Sequence, residues 1–243
     1  MAVSYPDPSF ALIGFGPGGW GPRLAAGMLL TVEISLLGYA VGMVLGLLGV
    51  WAKLGGSRVG RVVGGLYTTL VRAVPELLLI ILLYYTGTQA LQSLLERMGV
   101  TGPINVNALG AAVVTLGFVQ GAYLTEVFRG AIQAIPPGVA EAGRALALQR
   151  LQRLWLVTLP LALRNALPGM GNLWLAILKD SSLISVVGFS ELLYTGESGG
   201  AATKDYFFFY LVTAVLFLCL TAVSNVTLAI VNRFAERGQH ARA

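Results

Sequence analysis

Lys179 and Asp180 stand side by side inside the apolar run Ala166 to Phe189, where an ionised group is expensive to hold. From Ala166, a rise of about 1.5 Å per residue carries Lys179 roughly 20 Å into a helix, past the midplane and out of ready snorkelling range of the surface at which the run enters. Such a pair has two uses. Asp180 can draw a cationic side chain and Lys179 a carboxylate along a solute pathway, or the two can satisfy one another or a second subunit as an ion pair. Adjacent helical residues point about 100° apart, so the pair need not share one face.

Other charges sit nearer the ends of apolar runs. Glu126 and Arg129 are spaced i, i+3, and Arg72 and Glu76 i, i+4, so each can form a local pair. Glu126 can also receive a basic solute. Asn172 and Asn225 are polar groups in apolar runs and need hydrogen-bond partners, which a bundle-facing placement supplies. The candidate solute pathway is therefore Glu126, Asn172, Lys179, Asp180 and Ser181. Glu33 lies inside a span or at its outer edge, depending on where that span enters the bilayer. His240 reads as a solvated tail residue. One histidine and one cysteine leave too few ligands and nucleophiles for a membrane enzyme. Cys219, in an apolar run without a partner, reads as a packing residue.

The elements that position these residues are apolar helices. Of 243 residues, 56% are hydrophobic and 11% charged, against about 25% charged in soluble domains. A span needs about 20 mainly apolar residues, and five stretches qualify: Leu24 to Trp51, Pro75 to Leu95, Ala108 to Phe128, Ala166 to Phe189 and Tyr206 to Val231. The expectation is an all-α integral membrane protein, one transmembrane domain over residues 1–243. Val62 to Val71 is read as interfacial, with the second span starting at Pro75, because proline removes a backbone donor. Gly38, Gly42 and Gly46 recur every four residues and make a flat stripe for close helix packing, within this chain or against another subunit. Met1 to Pro22 carries Asp7, four prolines and no Lys or Arg, unlike a secretory signal peptide, and is expected to stay on the mature protein.

Basic residues fix the expected orientation. Lys53, Arg58, Arg61 and Arg72 fall in the first connection, and Arg129, Arg144, Arg150, Arg153 and Arg164 in the third; Arg233, Arg237 and Arg242 follow the last span. The opposite side has Arg23, Arg97 and Lys204. The basic side is cytoplasmic, so the N-terminus is outside and the C-terminus inside. The net charge of +5 is thus a membrane-orientation signal and not a nucleic-acid one. Five spans without internal symmetry are unusual for a self-contained carrier, so function is expected from an assembly.

The third connection is long. After Pro136-Pro137-Gly138, the run Val139 to Leu148 is rich in small, helix-favouring residues and reads as a short surface helix. Arg150 and Arg153, interleaved with Leu151, Leu154 and Leu156, form an amphipathic continuation suited to a membrane surface. Small side chains let such a helix seat in a groove.

This segment resembles the cytoplasmic signature of permeases of ATP-binding-cassette importers, Glu-Ala-Ala, three residues, Gly, then Ile-x-Leu-Pro. Here it stands as Glu141-Ala142-Gly143, with Ala147 in place of the glycine, then Val157-Thr158-Leu159-Pro160. Gly143 and Ala147 are departures, both small. Further blocks carry the resemblance over most of the chain: Tyr67 to Pro75, Gly121 to Ala131, Ala166 to Asn172 and Ile177 to Leu183. Together they look like the polar amino-acid branch, closest to permeases for histidine, basic amino acids and opines.

The resemblance implies one permease of a pair, homologous or identical, with two ATPase subunits and a periplasmic or extracellular solute-binding protein, in a bacterial inner membrane. Residues 136–160 would be the coupling segment, with Pro137, Gly138, Glu141, Ala142, Gly143, Ala145, Ala147 and Arg150 transmitting ATPase motion to alternating access. The chain lacks a Gly-x-x-x-x-Gly-Lys-Ser/Thr phosphate loop, so it is expected to be non-enzymatic and cofactor-free, with ATP and magnesium on the partner. The competing reading is an ion-gradient-driven transporter or channel using Lys179, Asp180 and Glu126.

Overall fold

The computed structural model describes residues 12–16, 18–99 and 107–236, with side chains to residue 233. Asp7, Arg237, His240 and Arg242 lie outside the described residues. Every long element is helical: α1 (Gly21–Leu54), α2 (Arg58–Ala73), α3 (Glu76–Arg97), α4 (Ala108–Gln133), α5 (Pro137–Ala145), α6 (Arg150–Arg153), α7 (Leu159–Asp180), α8 (Leu192–Thr203) and α9 (Tyr206–Glu236). A π-helical turn, Leu154–Thr158, joins α6 to α7, and a 3-10 segment, Ser181–Val187, prolongs α7. Five helical stretches are long and apolar enough to cross a membrane: Gly21–Leu54, Glu76–Arg97, Ala108–Gln133, Arg150–Val187 and Tyr206–Arg233. The fourth begins well before Ala166, because the helical path runs on without a break from Arg150 through the π-turn into α7.

The core is the α1/α4 pair, packed in parallel. Gly38 faces Leu116, Gly42 faces Gln120, and Gly46 faces Leu124 and Phe128, so the two helices advance together. The glycine stripe is thus spent within this chain. Contact is too close for a side chain: a Cβ on Gly46 would lie 2.7 Å from Leu124 Cβ, and one on Gly117 2.5 Å from Val41 Cγ1. Small residues on both faces let the backbones approach, which in lipid substitutes dispersion contacts for a hydrophobic drive.

The second span begins where Pro75 placed it, with α3 starting at Glu76. Helix α2 packs beside α1 and α4, and its Tyr67 hydroxyl donates to Phe118 O at 2.6 Å, near the middle of α4. Val71 packs with Val119 and Ala122 at the same level. The chain then breaks at Val74 and Pro75, both extended, before α3 resumes. Proline forces the residue before it out of the helical region and lacks the donor a continuing helix requires. The consequence is positional: Arg72 and Glu76 sit beside the middle of α4, next to Tyr123. No Arg72–Glu76 ion pair forms among the described residues, since the break parts them.

Asn172 and Asn225 also depart from the bundle-facing expectation: both are exposed on this chain. Helix α7 turns Ala166, Gly171, Ile177 and Leu178 inward, and Asn172 lies on another face. Beyond the spans, Glu191 is fully buried as the N-cap of α8, accepting from Leu193 N and Tyr194 N at 2.9 Å each. Burial pushes its carboxyl up to about 7 against those favourable bonds. Thr31 Oγ1, 3.3 Å from Glu191 Oε2, accepts from Leu192 N and ties α8 to α1.

Candidate functional site

Beside the middle of α4, polar groups from four elements, α2, α3, α4 and α7, come together. Asp180, the last residue of α7, accepts from Gln120 Nε2 of α4 at 3.1 Å. Glu76, in the first turn of α3, lies beside both Asp180 and the Tyr123 hydroxyl. Arg72, at the end of α2, places its guanidinium 5.6 Å from the centre of the Tyr123 ring. Gln120 is 1% exposed, and its Oε1 is the buried side-chain oxygen without a hydrogen-bond partner among the described residues. An unmet acceptor in so dry a place is costly, so it is available to a bound N–H. Two carboxylates, a free amide oxygen and one guanidinium form a constellation that can receive a cationic group at one end and a carboxylate at the other.

The pathway residues read from sequence separate in three dimensions. Asp180 lies in this constellation, and Ser181 next to it is buried, its hydroxyl donating to Leu178 O at 2.8 Å. Lys179 is exposed, as is Asn172, and no Lys179–Asp180 ion pair within 4.0 Å occurs among the described residues. Glu126 bonds with two cations: Lys53 of α1 on one oxygen and Arg129 on the other, the latter at 2.8 Å. The Arg129 pair is the local one that spacing suggested; Lys53, which also donates to Thr68 Oγ1 at 2.6 Å, is not reachable by local spacing. Glu126 thus ties α1, α2 and α4 together. Glu76, Gln120 and Tyr123 were not singled out as a group by sequence reasoning, although Gln120 and Tyr123 stand i, i+3 in an apolar run and share a helix face.

The segment after α4 folds as α5. Gly138, Glu141, Ala142 and Ala145 are exposed, while Gly143 is buried under the side chain of Arg153, 3.1 Å from where its Cβ would stand. At the end of α5, Leu148 N donates to Gly143 O at 3.1 Å and Ala147 N to Arg144 O at 2.9 Å. This double closure requires a left-handed residue between them, and Ala147 takes that position with φ of +56°. A left-handed conformation costs a non-glycine residue about 1–2 kcal/mol, part of which glycine returns through its greater freedom when unfolded. Ala147→Gly is therefore expected to stabilise the cap by about 1 kcal/mol, measured as roughly fivefold slower hydrogen exchange at residues 143–148. Unchanged or faster exchange would show that the cap carries no strain.

With this geometry in place, comparison with known proteins is informative. Residues 38–237 match the family of binding-protein-dependent transport system inner membrane components. The nopaline transport system permease protein NocQ of Agrobacterium fabrum is 40% identical over 228 residues, 93% of this chain and 97% of that protein. The histidine/lysine/arginine/ornithine transport system permease protein HisQ of Escherichia coli is 37% identical over 215 residues, 88% of this chain and 94% of that one. A crystal structure of an amino acid ABC transporter with histidines superposes with a TM-score of 0.76 at 28% identity, covering 88% of this chain and 94% of that one. The inward-facing MetNI methionine transporter shares the fold, with a TM-score of 0.68 at 20% identity. The chain belongs to the binding-protein-dependent transport system inner membrane component family, and it is a multi-pass inner-membrane permease of an ATP-binding-cassette importer.

Proposed function

We propose that this permease imports basic amino acids or the opines built from them, and that the constellation around Asp180 receives the solute's cationic end. The observation that carries this reading is the pairing of Glu76 with Asp180 beside the unmet Gln120 oxygen at mid-span. Two like charges held together in a low-dielectric site attract a cation strongly. Arg72 lies across Tyr123 from them and takes the solute carboxylate, a role that exposed Lys179 is not placed to fill. Relatives named for nopaline, octopine and histidine/lysine/arginine/ornithine transport support the same class. All of these solutes carry a carboxylate and a basic group.

In this reading the chain acts as one membrane domain, non-enzymatic, with its N-terminus outside. It pairs with a second permease, and a soluble binding protein delivers solute from the N-terminal side. Two ATPase subunits hold ATP and magnesium on the other side. Exposed Glu141, with Pro137, Gly138, Ala142 and Ala145 around it and Arg150 following, meets the ATPase. Gly143 and Ala147 shape the helix, and rigid α5 converts ATPase closure into movement of α4 and α7. Asn172 and Asn225 find partners on the second permease.

Reconstitution of the chain with these partners in liposomes tests the reading. Uptake of labelled arginine or histidine is expected to require ATP at the ATPase face. Glu141→Lys is expected to abolish it while the complex still assembles. Uptake by this chain alone, driven by an ion gradient and indifferent to ATP, would sink the proposal.

A further inference from the structure

A second polar site lies behind α5. Arg144 of α5 and Arg150 and Arg153 of α6 line one cleft of about 340 Å³, floored by Ile132, Val139 and Val157. None of the three guanidiniums has an ion-pair partner within 4.0 Å among the described residues, where the ion pairs all involve Glu126. Between Arg129 and Asp180 the sequence offers no acidic residue other than Glu141, which does not line the cleft. Three cations share a pocket with an apolar floor and nothing to neutralise them.

Depth indicates what fills it. Ile132 lies in the last turn of the third span and Val157 in the first part of the fourth, so the cleft opens where two spans leave the bilayer. The segment that supplies Arg150 and Arg153 also carries Leu151, Trp155 and Leu156, which are 65%, 61% and 68% exposed. Arginines next to exposed tryptophan and leucine at a span end belong at the headgroup level. Most of the groups assigned to the ATPase lie elsewhere: Gly138, Glu141, Ala142 and Ala145 are absent from the cleft lining, and only Pro137 and Arg150 of that set take part in it, beside Ala140 and Arg144. Helix α5 therefore has two working faces.

We propose that this cleft binds one anionic glycerophospholipid from the adjoining leaflet. Its phosphate is held by Arg144, Arg150 and Arg153, and its acyl chains leave the cleft over Ile132, Leu154 and Val157. Guanidinium forks match phosphate geometry and are more readily desolvated than ammonium groups. A lipid there wedges α5 against the α6–α7 segment and sets the stiffness with which α5 follows a partner. The site does not depend on which solute is carried.

The test uses the purified permease with its partner subunits in nanodiscs of phosphatidylcholine containing graded phosphatidylglycerol, followed by native mass spectrometry. Wild type is expected to retain about one phosphatidylglycerol per copy of this chain. In Arg144→Gln/Arg153→Gln the half-saturating phosphatidylglycerol fraction should rise about thirtyfold, as follows from about 1 kcal/mol for each basic side chain near an anionic surface. Arg144→Lys/Arg153→Lys should fall between the two, because it keeps charge and loses the fork. Arg58→Gln/Arg61→Gln, which removes exposed charge at the start of α2, should leave retention unchanged. Equal retention by wild type and the Gln pair would overturn the proposal. Loss of the ATPase subunit from the Gln pair at saturating phosphatidylglycerol would overturn it in favour of an acidic partner surface. A Gln pair that fails to assemble leaves the Lys pair to decide: wild-type retention by the Lys pair would count against fork recognition of phosphate.

Discussion

Asp180→Asn is expected to reduce uptake of labelled arginine by at least about thirtyfold, since removing one partner of a desolvated charge contact costs about 2–5 kcal/mol. The substitution is chosen to separate charge from shape. Asparagine Oδ1 can still accept the bond from Gln120 Nε2, now 3.1 Å long, so the helix contact survives and the cation's counter-charge is lost. Glu76→Gln should act in the same direction, because Glu76 shares the site. Lys179→Met should change uptake less than about twofold, its side chain being exposed on this chain and forming no ion pair with Asp180 within 4.0 Å. The three variants discriminate between pathways. If Lys179→Met were as damaging as Asp180→Asn, the solute carboxylate would be held by Lys179 and the role given to Arg72 would fall. If Asp180→Asn transported normally, the Glu76–Asp180 pair would be structural.

Gly46→Leu is expected to prevent recovery of folded permease altogether, and Gly46→Ala to destabilise it by about 1–3 kcal/mol. Helix α1 meets α4 backbone to backbone at this point: an added Cβ would stand 2.7 Å from Leu124 Cβ and 3.3 Å from the Leu124 carbonyl carbon. A flexible side chain can yield, but a neighbour's Cβ and backbone can do so only if the helices separate. Separation would also pull Gly42 from Gln120 and Gly49 from Thr125, so the damage spreads along the seam. Gly65→Ala is the control, since nothing lies within 4 Å of the position its Cβ would take; a small gain from helix propensity is expected there. Thermal unfolding followed by size-exclusion chromatography in detergent gives both values. Wild-type stability in Gly46→Ala would show that α1 and α4 do not approach this closely.

The glycine stripe illustrates how far local pattern reaches. Its four-residue period announces a flat helix face, yet nothing in α1 names its partner. The partner is α4, whose Gly117 and Gly121 receive Val41 and Leu45 in return. The third connection was more legible, because its signals are short-range: Pro136 and Pro137 start α5, and the small residues after them sustain it. Even the departure at Ala147 was visible, and the structure shows its form, a left-handed alanine closing α5.

The candidate site was legible only in part. Asp180 stood out because a carboxylate in an apolar run is costly wherever the run folds. Glu76 did not, because placing it depended on the start of the second span, and Pro75 read naturally as that start. Pro75 does begin that span, but it also parts α2 from α3, so that Glu76 opens its helix beside the middle of α4. The apparent Arg72–Glu76 spacing then loses its meaning, since helical neighbours at i, i+4 meet only if the helix is continuous.

The amino-acid sequence by itself determined where apolar helices form, which connection carries the surface helix, and which family the chain belongs to. These are properties of contiguous residues: hydropathy over about 20 positions, proline and small-residue punctuation, and ordered motifs. Tertiary structure decided which polar groups meet. Asp180 finds Gln120 across 60 residues, Lys53 finds Glu126 across 73, and Thr31 finds Glu191 across 160. Each joins elements far apart in the chain: α4 to α7, α1 to α4, and α1 to the start of α8. In a membrane, apolar surface satisfies lipid on almost any face, so hydropathy leaves helix rotation open and close packing together with hydrogen-bond demand selects it.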